Sequence, residues 1–371
     1  MNRLILLLCL AFLLTAGGCG TVQIEDRAFV TAIGLDVVGT GEDAKYLVTT
    51  EIFRPGSMQP RVEDETSILQ TVEADNFEAA LEQLQARLPR VITLSHLRVI
   101  IVGEDAAKEF DFREVIDYFE RRPEVQMRVR LMAVQGGQAL ELLKAKPLFN
   151  EYISEEIVAL IQRRDYLSLT NANPFFQFVQ ELRVNEGVGL IPRILTTEDG
   201  TRTILHGEAV YNNYKLAGWL SSEEVHAANW ILGDVDRSSV EGQLDNNAFS
   251  YSVRRRKVKI IPELNQQQLR FTVKIQTAGI LRQQQGMQLD MSDTANIKKL
   301  EEVIAHAIVR DAQQAVKKSQ QDFGIDYLGF GSALRRHNRQ FYEQIQWEKT
   351  FPAVPIDVEA ESRITLTGKK W

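Results

Sequence analysis

The first pattern along the chain is an unbroken apolar run from Leu4 to Leu14, set behind a single positive charge at Arg3. Eleven residues are too few for a membrane-spanning helix, which needs about 20. The run fits the apolar core of a secretory signal. From there on, hydrophobic spacing switches repeatedly between periods of two and of 3.6.

Residues 28–36 and 46–53 are β-rich runs flanking Gly39-Thr40-Gly41-Glu42-Asp43, which reads as a hairpin loop. Residues 54–66 are polar, with Pro55, Gly56 and Pro60, and read as a loop. Phe77, Ala80, Leu81, Leu84 and Leu88 share one helical face, with Asn76 as N-cap. Residues 97–102 read as a buried strand and 112–119 as a short helix. Residues 125–131 alternate strictly, which predicts a half-buried strand. Three helices follow at 138–144, 151–163 and 175–182, then a strand at 188–195. Thr196 to Gly200 is turn chemistry, and the main domain boundary is placed there, near residue 200.

Beyond that boundary, 203–211 and 216–220 pair across Asn212-Asn213-Tyr214. Ser221 and Glu224 form a capping box that opens a helix through Trp230. Strands are expected at 249–261 and 268–277. The longest helix is expected at 296–318, where Ile297, Leu300, Val303, Ile304, Ala307 and Ile308 form one stripe. A further helix is expected at 333–347 and a last strand at 355–367. Helices and strands interleave irregularly, so the fold class is α+β: two to three domains with mixed or antiparallel sheets packed by helices. The division is a leader at 1–18, N-terminal α+β domain(s) at 19–200 and a C-terminal α+β domain at 201–371.

Charge and cysteine usage sharpen this picture. The 371 residues are 44% hydrophobic and 25% charged, which suits globular domains and excludes fibrous or disordered chains. The net charge of −7, without a basic excess, argues against a nucleic-acid binder. The two cysteines are Cys9, inside the leader, and Cys19, directly after Thr15-Ala16-Gly17-Gly18. Small residues before a cysteine suit lipoprotein processing, with a diacylglyceryl group carried by the Cys19 thiol. Ala16 stands where such sites usually have Leu, and Ala16-Gly17-Gly18 also suits an ordinary secretory cleavage site. Cleavage before Cys19 removes Arg3, leaving 42 basic against 50 acidic residues, a net charge of −8. The exported chain then has no disulfide and one cysteine at its first position, where an anchor is its natural use.

Chemistry-bearing motifs are sparse. The chain has no P-loop, no GxGxxG, no GxSxG, no HExxH and no CxxC. His96, His206, His226, His306 and His337 are all far from one another in sequence, so no compact histidine metal site is supported. Asp290-Met291-Ser292-Asp293 reads as a helix cap before it reads as a metal site. The dense basic run Arg254-Arg255-Arg256-Lys257-Val258-Lys259 is either a solvated hairpin end or a contact for anionic lipid or an acidic partner. His96 reads as a structural histidine, and Trp219 and Trp230 as packing residues.

Several blocks, in order, carry a family resemblance. They are Ile24-Glu25-Asp26 with Phe29 to Asp36, Thr93 to Glu104, and Gly207-Glu208-Ala209-Val210 to Gly218-Trp219-Leu220 with Glu223-Glu224. Gln320 to Gly331 and Trp347 to Pro352 complete the set. Together, behind a signal peptide, they resemble the Ger(x)C family, the lipoprotein C subunits of spore germinant receptors. The resemblance implies a lipid-anchored, non-enzymatic subunit without catalytic residues, cofactor or metal. It implies Cys19 as the lipid attachment site and a place on the outer face of the spore inner membrane. The implied partners are the membrane, through the acyl anchor, and the receptor's A and B subunits. Neither nucleic acid nor direct nutrient binding is expected. Asp326, between Ile325 and Tyr327, is the late carboxylate to follow, with a turn or cap role as its plain reading. The alternative class is a lipid-anchored solute-binding protein, although the irregular element order fits its alternating lobes poorly.

Overall fold

The computed structural model describes residues 23–53, 67–126, 128–163, 170, 173–196, 203–232, 239–244, 247–265, 268–285 and 293–367. The leader, Cys19, the 54–66 loop and residues 197–200 of the expected turn lie outside the described residues.

The first apolar run becomes β1 (Arg27–Val38), with nine consecutive buried residues. A strand apolar on both faces must be covered on both. Val30, Ile33 and Leu35 enter one core and Ala32 the opposite one. The β2 strand (Lys45–Phe53) pairs antiparallel with β1, and β3 (Ser67–Ala74) with β2. After α1 (Phe77–Arg87), the short β4 (Val91–Thr93) and β5 (Val99–Val102) both lie parallel to β1. Two parallel strands continue the sheet, β6 (Arg130–Val134) and β7 (Gly189–Thr196). An antiparallel pair, β8 (Thr203–Asn212) and β9 (Lys215–Leu220), ends it. The result is a nine-stranded mixed sheet in the order β3-β2-β1-β5-β6-β7-β8-β9, with β4 on the start of β1.

Helices cover both faces. With α1, α3 (Arg113–Glu120) and α6 (Phe175–Val184) fill one core, which α2 (Glu104–Glu109) also joins. The helices α4 (Ala139–Lys144) and α5 (Ile153–Arg163) fill the other.

The second unit opens with α7 (Ser222–Leu232), where Ser221 and Glu224 cap each other reciprocally at 2.8 and 3.2 Å. Its sheet has the order β10 (Ser239–Leu244), β11 (Asn247–Asn265), β12 (Gln268–Gln285), β13 (Ile356–Thr367). The first three strands are antiparallel, and β13 joins parallel to β12 after α8 (Thr294–Lys317), a π-helical turn, α9 (Phe330–His337), α10 (Arg339–Gln344) and α11 (Trp347–Thr350). Trp230, Phe271 and Ile304 are fully buried in this unit's core. The expected α+β class with mixed sheets is thus the observed one.

Residue 200 lies in the connection between β7 and β8, two paired strands, so the first sheet runs on to Leu220. Strand alternation sends Ala209 and Tyr211 into the first core and Val210 into the second. The β8–β9 pair is therefore shared by both units.

Two sequence expectations are corrected. Of the strand expected at 125–131, Arg130 and Leu131 pair, as the start of β6, while Val129 N–H donates to Gln126 O in a turn just before it. The single helix at 333–347 is three short ones. Asn338 leaves helical geometry at φ −146° and caps the next helix, accepting from Phe341 N at 3.0 Å.

Candidate functional site

Four acids, Asp36, Glu51, Glu114 and Asp326, share one task. Asp36, near the end of β1, accepts from the N–H groups of Ala139 (2.7 Å) and Leu140 (2.8 Å), at the start of α4. Glu51 on β2 accepts from Ile153 and Ser154 N–H at 3.1 and 3.3 Å, at the start of α5, and from the Thr31 hydroxyl at 2.8 Å. Glu114 accepts from Phe77 N at 2.9 Å and Tyr46 Oη at 3.0 Å, fixing α1. Asp326 accepts from the N–H groups of Gly329 (2.9 Å), Phe330 (3.0 Å) and Gly331 (2.6 Å), at the start of α9. The Trp347 indole N–H donates to it at 3.0 Å. Helix N-termini offer unpaired donors and a positive dipole end, so a carboxylate there is stabilised.

Burial pushes the carboxyls of Asp36, Glu51 and Asp326 above their usual range, while the donated hydrogen bonds pull the other way. A raised carboxyl pKa is also a mark of acid–base catalysts. Here the oxygens are already engaged by backbone donors, so Asp36 and Glu51 pin helices to strands up to 104 residues away in sequence. The cap role expected for Asp326 is what its hydrogen bonds define.

Asp326 borders a cavity of about 240 Å³ between the two units, with Asn185, Glu186, Ser332, Tyr342 and Trp347. Ser332 Oγ donates to Asn185 Oδ1 at 2.6 Å, and Arg335 donates to Val184 O at 2.5 Å. Glu186, in left-handed geometry at φ 55°, lies 3.8 Å from Arg335. The seam between units is thus polar and directional.

A second cavity, of about 390 Å³, opens where β5 and β6 begin. His96, Arg98, Gln126, Arg128, Arg130 and Gln162 line it. Arg98 meets Glu155 at 3.5 Å and lies 5.7 Å over the Tyr152 ring. Sequence reasoning missed both cavities. The only early signal for the second was the Arg128-Val129-Arg130 alternation, assigned to a strand face.

The other singled-out residues have structural settings. His96 is exposed, with its ring edge-on to Phe29 at 4.7 Å. His226 packs edge-on to Trp230 at 5.6 Å, and burial lowers its pKa below the usual 6.5. His206 meets the Arg193 guanidinium at 2.7 Å. Trp230 is core and Trp219 packs against the first core. Asp293 caps α8 through Ala295 N at 2.9 Å, while residues 290–292 lie outside the described residues. Arg254, Arg255, Lys257 and Lys259 face solvent on β11, and Arg256 turns in to donate to Asn229 O. Acids across that sheet answer some of its basic charge, with Lys274–Glu359 at 3.3 Å and Arg270–Asp357 at 3.4 Å. Among the described residues no group of three or more His, Cys, Asp or Glu could hold a metal ion, and no helix is long and apolar enough to cross a membrane.

These features define a two-unit α+β scaffold whose two cores share the β8–β9 strand pair and whose described cavities include polar and cationic lining residues. Residues 20–196 match the spore germination protein N-terminal domain, and residues 206–368 match the spore germination B3/GerAC-like C-terminal domain. The chain belongs to the Ger(x)C family of spore germination proteins. It is 21% identical to spore germination protein B3 of Bacillus subtilis (strain 168), over 96% of each chain. It is 22% identical to spore germination protein YndF of the same organism, over 79% of this chain and 73% of that one. The fold is similar to the crystal structure of the GerBC protein, with a TM-score of 0.60 and 20% identity, over 93% of this chain and all of that one.

Proposed function

We propose that this protein is the lipid-anchored, non-catalytic subunit of a nutrient germinant receptor, working through assembly or coupling with the receptor's membrane A and B subunits. The observation that carries the reading is the pair of family matches, which together run from residue 20 to 368, directly behind Cys19. Cys19 carries the diacylglyceryl group, and the mature chain sits on the outer face of the spore inner membrane. Two acyl chains give a stable hold, each buried CH₂ contributing about 0.8 kcal/mol. The engagement of Asp36, Glu51 and Asp326 at helix N-termini supports the non-catalytic part of the reading.

The test is germination of spores lacking only this gene, compared across nutrients and against a trigger that bypasses receptors. Loss of one nutrient response with the bypass intact supports the reading. A Cys19→Ala chain should give the same defect while its domains stay folded. Normal nutrient germination by that variant at normal abundance would sink the anchor.

A further inference from the structure

We propose that the cavity at the start of β5 and β6 is a binding site for the phosphate headgroup of an anionic phospholipid, which orients the protein on its membrane. The proposal rests on the anchored reading above for its setting, and on the cavity for its chemistry.

Three facts converge. First, the cavity is rich in cations: Arg98, Arg128 and Arg130 line it with His96, Gln126 and Gln162, and Glu155 pairs with Arg98 at 3.5 Å. Guanidinium forks match phosphate oxygens, and amides add donors. Its volume of about 390 Å³ admits a headgroup.

Second, the cavity lies at the end of the sheet where the chain enters. Strands β5 and β6 run parallel to β1, so their first residues lie toward its start. Arg98 N–H donates to Thr31 O at 2.9 Å, and Arg130 N–H to Arg98 O at 2.8 Å, a row crossing the three strands. The four steps from Cys19 to Gln23 reach at most about 14 Å. A lipid on Cys19 therefore holds this end of the sheet at the bilayer. The residues from Arg27 to Thr31 project about 13 Å past the row, so the cavity sits in a step just behind the leading tip. That tip shows apolar side chains to solvent: Ile24 is 64% exposed and Val91 45%.

Third, the rest of the molecule carries the wrong sign. The mature chain, with 42 basic against 50 acidic residues, has a net charge of −8, so an anionic membrane repels it on average. A cationic cavity at the tethered end turns that repulsion into an orienting torque, with this end down.

The test is flotation of the mature chain, residues 19–371 with Cys19→Ser, so that no acyl group contributes. All described elements lie within it. It should bind vesicles of mixed phosphatidylcholine and phosphatidylglycerol, lose them at high salt and ignore pure phosphatidylcholine. Each removed arginine should cut partitioning about fivefold, so Arg128→Gln costs about fivefold and Arg98→Gln with Arg128→Gln about 25-fold. Arg128 is exposed, which keeps that variant folded. Lys257→Gln with Lys259→Gln, on the solvent face of β11, should leave binding unchanged. Equal binding to both vesicle types, an Arg128→Gln chain that binds normally, or an equal loss from the Lys257/Lys259 pair would each overturn the proposal. So would binding of free glycerol phosphate with no preference for vesicles. The anchor is judged separately, by the intact mass of the chain from spores: an unmodified Cys19 overturns the anchoring and leaves the vesicle result standing.

Discussion

At the scale of single residues, the carboxylates that occupy helix N-termini dominate the polar interior. Removing one strands its donors, and a buried unpaired donor costs about 1–3 kcal/mol. Asp326→Ala leaves three backbone N–H groups and the Trp347 indole unanswered, so a loss of about 3 kcal/mol or more is expected in urea unfolding. A loss under about 1 kcal/mol would mean that water replaces the carboxylate readily. Gly103 belongs to the same arrangement, because a Cβ there would strike Asp36 Oδ1. His226 gives the pH counterpart. Burial lowers its pKa below 6.5, so the neutral ring is the stable folded form. Its contribution is complete above 6.5 and is lost as pH falls through the lowered folded value. His226→Phe should therefore flatten the fall in Tm between neutral and mildly acidic pH. An unchanged slope in the variant would assign that fall to other groups.

At the scale of elements, what the sequence showed depends on how local the determining contacts are. Asn76 and the Ser221–Glu224 box are local signals, and both cap the helices they announce. Ser221→Ala should cost about 1 kcal/mol, read as a shift of the urea midpoint at constant m. A shift in m as well would point to a change in the unfolded state. Long-range determinants left no such mark. The three-residue β4 has no periodicity to read and exists because β1 extends past β5. The apolar spacing in 333–347 continues through Asn338, but the cap made by its side chain outweighs that spacing. Candidate sites divide in the same way. The cap role of Asp326 was visible because neighbours in sequence define it. The arginine cavity draws on positions 98, 128 and 130 and on the end of α5, brought together only by parallel strand pairing.

At the scale of the whole molecule, the shared hairpin decides how the two units behave. Val210 and Leu220 belong to the second core, while Ala209 and Tyr211 on the same strand pair fill the first. Neither unit can release this hairpin without exposing apolar surface of the other. Polar contacts across the seam, from Ser332 to Asn185 and from Arg335 to Val184 and Glu186, add directional constraint. The units are therefore expected to unfold as one cooperative system, with coincident transitions from near-UV and far-UV signals. Trp230→Ala empties a fully buried site in the second core, a loss of about 3–5 kcal/mol. In a coupled molecule that loss lowers the transition of the first unit too. A probe confined to the first sheet, such as hydrogen exchange at Ile100 and Ile101, should report it. Exchange there that stays at its original rate, with a second transition split off at lower temperature, would show two independent domains joined by a passive strand pair. Coupled unfolding would instead mean that strain applied to one unit reaches the other through β8 and β9.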